Sequence, residues 1–349
     1  IAIAGTHGKT TTSSLIAHIL HHSNAGMRAF LGGITANYQS NFLSNKDAKI
    51  AIVEADEYDR SFLKLNPDIA IITSTDPDHL DIYGEISEVK KSFSLFTEQI
   101  NTNGLLIIQH SLSLDTPKEL RKKTYGLNKD ADIYAENIRI ENGRYVFDVV
   151  SNGKLWVGFE LYMGGKHNIE NALAAIYTAK SINISMDSIK EGIKTFKGVK
   201  RRFEYISRTD EHIYIDDYAH HPAEINATIS GVREVYPNKK ILGIFQPHLY
   251  SRTRDFASDF AHSLSLLDEV ILMDIYPARE VPIPGVSEDL IFENITTEKK
   301  FKANKENLLD LIKSRLDKID IIVTMGAGDI DRFVKPIEAL LNQNPVALT

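Results

Sequence analysis

Ile1-Ala2-Ile3-Ala4-Gly5-Thr6-His7-Gly8-Lys9-Thr10-Thr11 is the stretch from which the fold is read. Small and β-branched apolar residues form a strand, two glycines let the backbone curl, and helical periodicity follows over residues 11–21. Strand, glycine turn and helix in that order make a phosphate cradle. Backbone N–H groups converge on phosphate oxygens, and the helix N-terminus adds a favourable dipole. Gly5, Thr6, His7, Gly8, Lys9, Thr10 and Thr11 are therefore candidate ATP contacts. Lys9 would neutralise the β- and γ-phosphates, and the hydroxyl of Thr10 or Thr11 would reach Mg²⁺. The spacing is shorter than G-x-x-x-x-G-K-[ST], so the loop is a variant.

Outward from this loop, short apolar runs alternate with helical patterns. Strands are expected at 50–53, 69–73, 105–109, 213–216, 241–245, 269–273 and 319–324. Helices are expected at 88–100, 168–181, 223–235 and 254–266. Several of the strand runs are apolar on both faces, as parallel strands covered by helices are. The alternation predicts an α/β protein with a doubly wound, mostly parallel sheet. Residues 132–159 differ: apolar residues alternate around an Asn142-Gly143 turn, which reads as a small antiparallel β insertion. A second β-α series restarts near Tyr205, with a joining segment at residues 196–202. The expected domains are 1–198, a P-loop ATP-binding domain, and 199–349, a Rossmann-like α/β domain.

Bulk properties narrow the partners. The 349 residues suit two domains, and the net charge of −7 gives no reason to expect nucleic acid or a membrane surface. The absence of cysteine excludes disulfides, thiolate metal sites and a cysteine nucleophile, and fits a cytoplasmic protein. A chain that opens inside a strand, without methionine, is expected to be a fragment.

Acids and histidines gather where strands end, the edge at which doubly wound sheets bind ligands. The strand at 50–53 leads into Glu54-Ala55-Asp56-Glu57, and the one at 69–73 into Asp76-Pro77-Asp78-His79-Leu80-Asp81. A hard cation on ATP takes oxygen ligands, so Glu54 is a Mg²⁺ candidate. His79 would ligate a second cation or contact the γ-phosphate. In the second half, Asp216-Asp217-Tyr218-Ala219-His220-His221-Pro222 and Gln246-Pro247-His248-Leu249-Tyr250-Ser251-Arg252 follow adjacent strands. Arg252 is suited to gripping a carboxylate through two bonds. A zinc site is disfavoured because adjacent histidines point apart and no H-E-x-x-H occurs. A serine hydrolase is disfavoured because no G-x-S-x-G occurs.

Taken in order, GTHGKTTT (5–12), VEADE (53–57), TDPDHLD (75–81), GKHNIENALAA (165–175), GVKRRFE (198–204) and DDYAHHP (216–222) resemble the Mur ligase family, itself similar to folylpolyglutamate synthases. The set spans most of the chain. FQPHLYSRTRDF (245–256) and DDYAHHPAEI (216–225) resemble the branch that adds L-alanine to UDP-N-acetylmuramate. The resemblance implies a three-domain enzyme, of which this chain would hold the central and C-terminal domains and lack the N-terminal UDP-binding one. It implies ATP and Mg²⁺ as cofactors, UDP-N-acetylmuramate and L-alanine as substrates, and a monomer or weak homodimer. Residue by residue, it gives Lys9 and Thr10 to the phosphates and Mg²⁺, and Glu54 and His79 to the metal. Asn168 and Asn171 go to the adenine side, with capping of their own helix as the alternative. Arg202 goes to the γ-phosphate and Asp217 to the ribose or phosphates. Tyr218, His220, His248 and Arg252 form the amino-acid pocket. Leu249 stands where a basic residue is expected, and Ser74 where asparagine is usual. Other members carry a carbamylated lysine after the DH histidine. Phe93 and Ser94 occupy that region, and Lys90 and Lys91 are out of register, so no such modification is expected.

The implied reaction is activation of a carboxylate as an acyl phosphate and its capture by an amine. Lys9 and Arg202 would stabilise the transferring phosphoryl group, and His220 would orient or deprotonate the amine. Within enzymes the alternatives are the muropeptide-recycling ligase or a folylpolyglutamate-synthase-like enzyme. Outside them the alternative is a nucleotide-binding regulatory protein.

Overall fold

The structure, a computed structural model, describes residues 1–76, 83 and 85–342. The chain divides into two compact units, Ile1–Val199 and Lys200–Thr349. Each is α/β, with a mostly parallel sheet.

The first unit is built on a ten-stranded sheet. Its strands are β1 (Ala2–Ala4), β2 (Met27–Thr35), β3 (Ser40–Ser44), β4 (Ile50–Glu54), β5 (Ile69–Ile72), β6 (Leu105–Gln109), β7 (Arg121–Gly126), β8 (Ile133–Glu141), β9 (Arg144–Ser151) and β10 (Lys154–Leu161). Their order across the sheet is β10-β9-β8-β7-β6-β5-β1-β4-β2-β3. The short, fully buried β1 pairs in parallel on both sides, Ile3 with Glu54 of β4 and Ala4 with Ile72 of β5. The loop that leaves β1 therefore opens between the ends of those two strands. The expected antiparallel insertion is present, but as an extension of the same sheet. β8 pairs in parallel with β7 through Tyr125 and Gly126, and β9 and β10 follow as antiparallel neighbours.

Helices α1 (Lys9–His22), α2 (Ile86–Glu98), α3 (Lys166–Ser181) and α4 (Met186–Thr195) belong to this unit. α1 opens on Lys-Thr-Thr-Thr-Ser-Ser, a run with little intrinsic helix preference. It is helical because burial of Thr10 through Leu20 against β2, α3 and α4 overrides propensity. α3 begins at Lys166 with Gly165 (φ +85°) in the cap position and no side-chain cap, so Asn168 and Asn171 do not serve as its N-cap.

The second unit carries β11 (Glu204–Arg208), β12 (Ile213–Asp217), β13 (Ile241–Phe245), β14 (Glu269–Met273), β15 (Lys300–Ala303) and β16 (Ile321–Met325) in the order β11-β12-β16-β13-β14-β15. Only β11 pairs antiparallel. Helices α5 (Pro222–Val235), α6 (Tyr250–Leu264), α7 (Asp289–Phe292), α8 (Leu308–Lys313) and α9 (Val334–Asn342) cover it. Alternation along β16 shows how. Ile321, Val323 and Met325 join Ile225, Ile229, Phe260 and Leu264 in one core, while Ile322 joins Leu308, Ile312 and Ile337 in the other. Two elements of this unit start two or more residues from where they were expected. β16 starts two residues later than expected because the 3₁₀ turn Leu316–Lys318 precedes it. α6 starts four residues earlier, which puts Arg252 inside its first turn.

Candidate active site

In the first unit, the parallel register fixes what surrounds the phosphate loop. Gly5 (φ +136°) and Gly8 (φ +82°) take backbone conformations that L side chains rarely adopt. A Cβ on Gly8 would stand 2.8 Å from the Asn171 side-chain oxygen, so the loop is also pressed against α3. On the β5 side the loop is stapled by residues just past the strand. The His7 N–H donates to Ser74 Oγ at 2.7 Å, and the Thr73 hydroxyl donates to the His7 carbonyl. Ser74, where asparagine was expected, thus supplies the loop with a hydroxyl acceptor.

Lys9 is largely buried, and its Nζ is held from three directions. It donates to the Gly5 carbonyl at 2.7 Å and to both oxygens of the fully buried Glu57 at 2.9 and 2.6 Å. Thr10 donates its hydroxyl to Glu54 Oε1 at 2.8 Å, while Oε2 accepts the Gly32 N–H at 2.7 Å. The Thr10 hydroxyl and the Glu54 carboxylate are hard oxygens, the kind of ligand that Mg²⁺ takes. Among the described residues no three acidic or histidine side chains converge, so a cation held by Thr10 and Glu54 would need further ligands from phosphate, water or residues outside that set. His79 lies outside the described residues. Asn168 and Asn171 are buried behind the loop. Asn171 Oδ1 accepts the Thr12 hydroxyl at 3.1 Å, Asn171 Nδ2 donates to Asn168 Oδ1 at 3.1 Å, and Asn168 donates to the Gly164 carbonyl at 2.7 Å. Their polar atoms brace α3 against the phosphate loop.

In the second unit, the ends of β12 and β13 present the other residues. Asp216 is fully buried, with Arg201 Nε at 3.1 Å and the Thr324 hydroxyl at 2.6 Å. Asp217 accepts the N–H groups of Phe203 and Ala219, each at 2.7 Å. Burial pushes its pKa up to about 6 against those bonds, with Asp216 adding to the rise. Arg202 is exposed in the turn before β11. Tyr218 is exposed, and its ring lies 5.2 Å from the Arg201 guanidinium.

His220 Nδ1 lies 2.9 Å from the Tyr218 carbonyl, which can only accept, so that nitrogen carries the proton and Nε2 is left as the acceptor of a neutral ring. Burial holds His220 below the ordinary histidine range, opposed by Glu224. The His248 ring is 6.2 Å from that of His220 and is also held low, by burial first and then by Arg252. His248 Nδ1 and Arg252 Nη1 are buried and have no hydrogen-bond partner among the described residues. Tyr218, His220, His248 and Arg252 thus gather past the ends of β12 and β13, which were expected to be adjacent but which β16 separates in the sheet.

Three residues with clear structural parts carried no role in the sequence reading. Glu57 grips Lys9, and its signal was the third acid of VEADE. Arg201 anchors the start of the second unit through Asp216 and the Gly326 carbonyl. Its left-handed backbone (φ +59°) had no sequence signal. Gln246 is buried and joins β13 to the turn after β16 through Asp329 and the Ile330 N–H.

Comparison with known proteins gives this arrangement a lineage. The model of the Mur ligase middle domain matches residues 3–179, and that of the Mur ligase, glutamate ligase domain matches residues 201–328. UDP-N-acetylmuramate--L-alanine ligase of Parabacteroides distasonis is 48% identical over 344 residues, covering 98% of this chain and 74% of that protein. The enzyme of the same name from Flavobacterium johnsoniae is 48% identical over 343 residues, with the same coverage. The crystal structure of UDP-N-acetylmuramate-alanine ligase MurC from Thermotoga maritima superimposes with a TM-score of 0.80 at 27% identity, over 99% of this chain and 76% of that one. Similarity at this level extends over nearly the whole chain, and this chain belongs to the Mur ligase family.

Proposed function

We propose that the chain is the catalytic part of an ATP-dependent ligase that joins L-alanine to the muramoyl carboxylate of UDP-N-acetylmuramate through an acyl phosphate. The observation that carries this reading is the phosphate loop, on which one buried lysine and one carboxylate-held hydroxyl stand together. The names of the relatives supply the substrates.

An amine does not displace hydroxide from a free carboxylate at a useful rate, so the carboxylate must first take the γ-phosphoryl group. Lys9 would leave Glu57 for the phosphate oxygens, and Arg202 would supply a second cation to the transferring group. Mg²⁺ held by Thr10 and Glu54, with His79 as a further ligand, would neutralise charge on the phosphate oxygens. Asn168 and Asn171 would support the nucleotide from beneath the loop, and Asp217 would contact its ribose or phosphates. Arg252 and His248 would take the carboxylate of alanine, whose approach would satisfy the partnerless Nη1 and Nδ1. His220, whose Nδ1 is turned to the Tyr218 carbonyl, would accept the proton at Nε2 as the amine attacks. Inorganic phosphate then leaves.

The test is phosphate release from ATP by the full-length protein, with UDP-N-acetylmuramate, Mg²⁺ and single amino acids supplied in turn. Release that needs both the sugar nucleotide and L-alanine supports the reading. Release indifferent to both sinks it in favour of a nucleotide-binding regulator.

A further inference from the structure

The first turn of α6 carries Arg252, with His248 just before it, yet the helix has a poor start of its own. Its N-cap is Leu249, which offers no side-chain acceptor and adopts φ +72°, a left-handed conformation unfavourable for a branched residue. Two groups from the segment after β14 hold this start in place. The Tyr276 carbonyl accepts the Leu249 N–H at 3.0 Å, and the Tyr276 N–H returns to the Pro247 carbonyl at 2.8 Å. The Tyr276 ring stacks on His248, with centroids 5.9 Å apart and planes 20° from parallel. Glu280 then reaches the helix end itself. One carboxylate oxygen accepts the Ser251 N–H at 2.9 Å and the other accepts the Ser251 hydroxyl. A carboxylate from a different element thus does what the N-cap residue cannot, and it does so at the positive end of the helix.

We propose that Glu280 is a positioning residue for the amino-acid subsite: by capping α6 from outside, it sets where Arg252 and His248 meet the incoming carboxylate. The proposal rests on the ligase reading above. It explains why a strained leucine is tolerated beside that subsite, since Tyr276 and Glu280 over-determine the turn. Glu280 itself need touch no substrate, and both of its oxygens are already engaged by Ser251.

The experiment is steady-state kinetics of the full-length Glu280→Ala and Glu280→Gln variants, with amide hydrogen exchange over residues 250–253 as a second readout. In Glu280→Ala the KM for L-alanine should rise by about ten- to a hundredfold, the effect of displacing a binding group by about an ångström. The KM for ATP and kcat should stay within about threefold, and first-turn exchange should speed up. Glu280→Gln keeps the shape and an oxygen acceptor for one Ser251 bond, so it should fall between, and it carries the test if the alanine variant fails to fold. Ser251→Ala added to Glu280→Ala should cost nothing more, because the pair acts as one unit. Faster exchange with an unchanged alanine KM would overturn the proposal. So would a loss that falls equally on alanine, ATP and thermal stability. A wild-type enzyme whose turnover ignores alanine is a different failure, that of the ligase reading itself.

Discussion

Gly32→Ala adds one methyl group to the strand that passes the Glu54 carboxylate, and the structure says what that methyl would meet. A Cβ at Gly32 would stand 2.6 Å from both Cδ and Oε1 of Glu54, where ordinary contact starts at 3.4 Å. Oε2 is nearer still, so the carboxylate must retreat by about 1 Å or turn away, since it is the far end of a flexible side chain and β2 is fixed by its neighbours. Retreat breaks the 2.7 Å bond from the Gly32 N–H and strains the 2.8 Å bond from Thr10. A hydrogen bond to a charged group contributes about 1.5–3 kcal/mol, which corresponds to roughly 10- to 150-fold in rate if the carboxylate's position matters in the transition state. Gly32 does not have a left-handed backbone, so alanine is compatible with the strand, and fold stability should fall by no more than the lost bond contributes, about 1.5–3 kcal/mol. The assay pairs phosphate release under saturating substrates with urea denaturation of the same preparation. A stable Gly32→Ala enzyme with turnover within threefold of wild type would refute the placing of Glu54 at the reacting phosphates.

Two further perturbations probe the buried charges. Lys9→Met removes the ammonium from both oxygens of the buried Glu57 and should cost about 3–5 kcal/mol in urea denaturation without nucleotide. Lys9→Met with Glu57→Gln should recover most of that loss while staying inactive; a single variant as stable as wild type would show the ion pair to be inconsequential. Asp217 has a folded pKa near 6, above its ordinary 3.8, so the unfolded chain ionises first. Its stabilising contribution is therefore complete below about pH 4 and declines as pH rises to about 6. Urea midpoints should show the advantage of wild type over Asp217→Asn shrinking across that window, and a pH-independent difference would contradict the raised pKa.

The strands whose two ends could be read from sequence are those buried on both faces. Leu105–Gln109, Ile241–Phe245 and Glu269–Met273 have the expected bounds because apolar content alone marks such strands. β7 is Arg-Lys-Lys-Thr-Tyr-Gly and carries no such mark. It is a strand because β6 offers it an edge and because Asp132 ties Lys123 and Thr124. β2 was hidden by Gly32-Gly33, which reads as a turn but serves close approach to Glu54 and Val199. The candidate site divides the same way. Glu54 was legible because it ends a strand beside a phosphate loop, and Arg252 because of its chemistry. The hold of Glu280 on Ser251 spans 29 residues and exists only because the segments after β13 and β14 run side by side. Such pairings leave no local pattern.

The position of β16 has a consequence for how the second unit is made. The last strand in sequence occupies the middle of the sheet, between β12 and β13, with five residues paired on each side. During synthesis β12 and β13 emerge more than seventy residues before their common neighbour, with inward edges rich in isoleucine and leucine. Until Ile321–Met325 leaves the ribosome the two halves cannot join, and each presents an open edge to other nascent chains. Assembly must then proceed through long-range closure, which is slow. Closing the sheet around β16 is therefore the last step in making this unit, because β12 and β13 have no common neighbour before residues 321–325 are available.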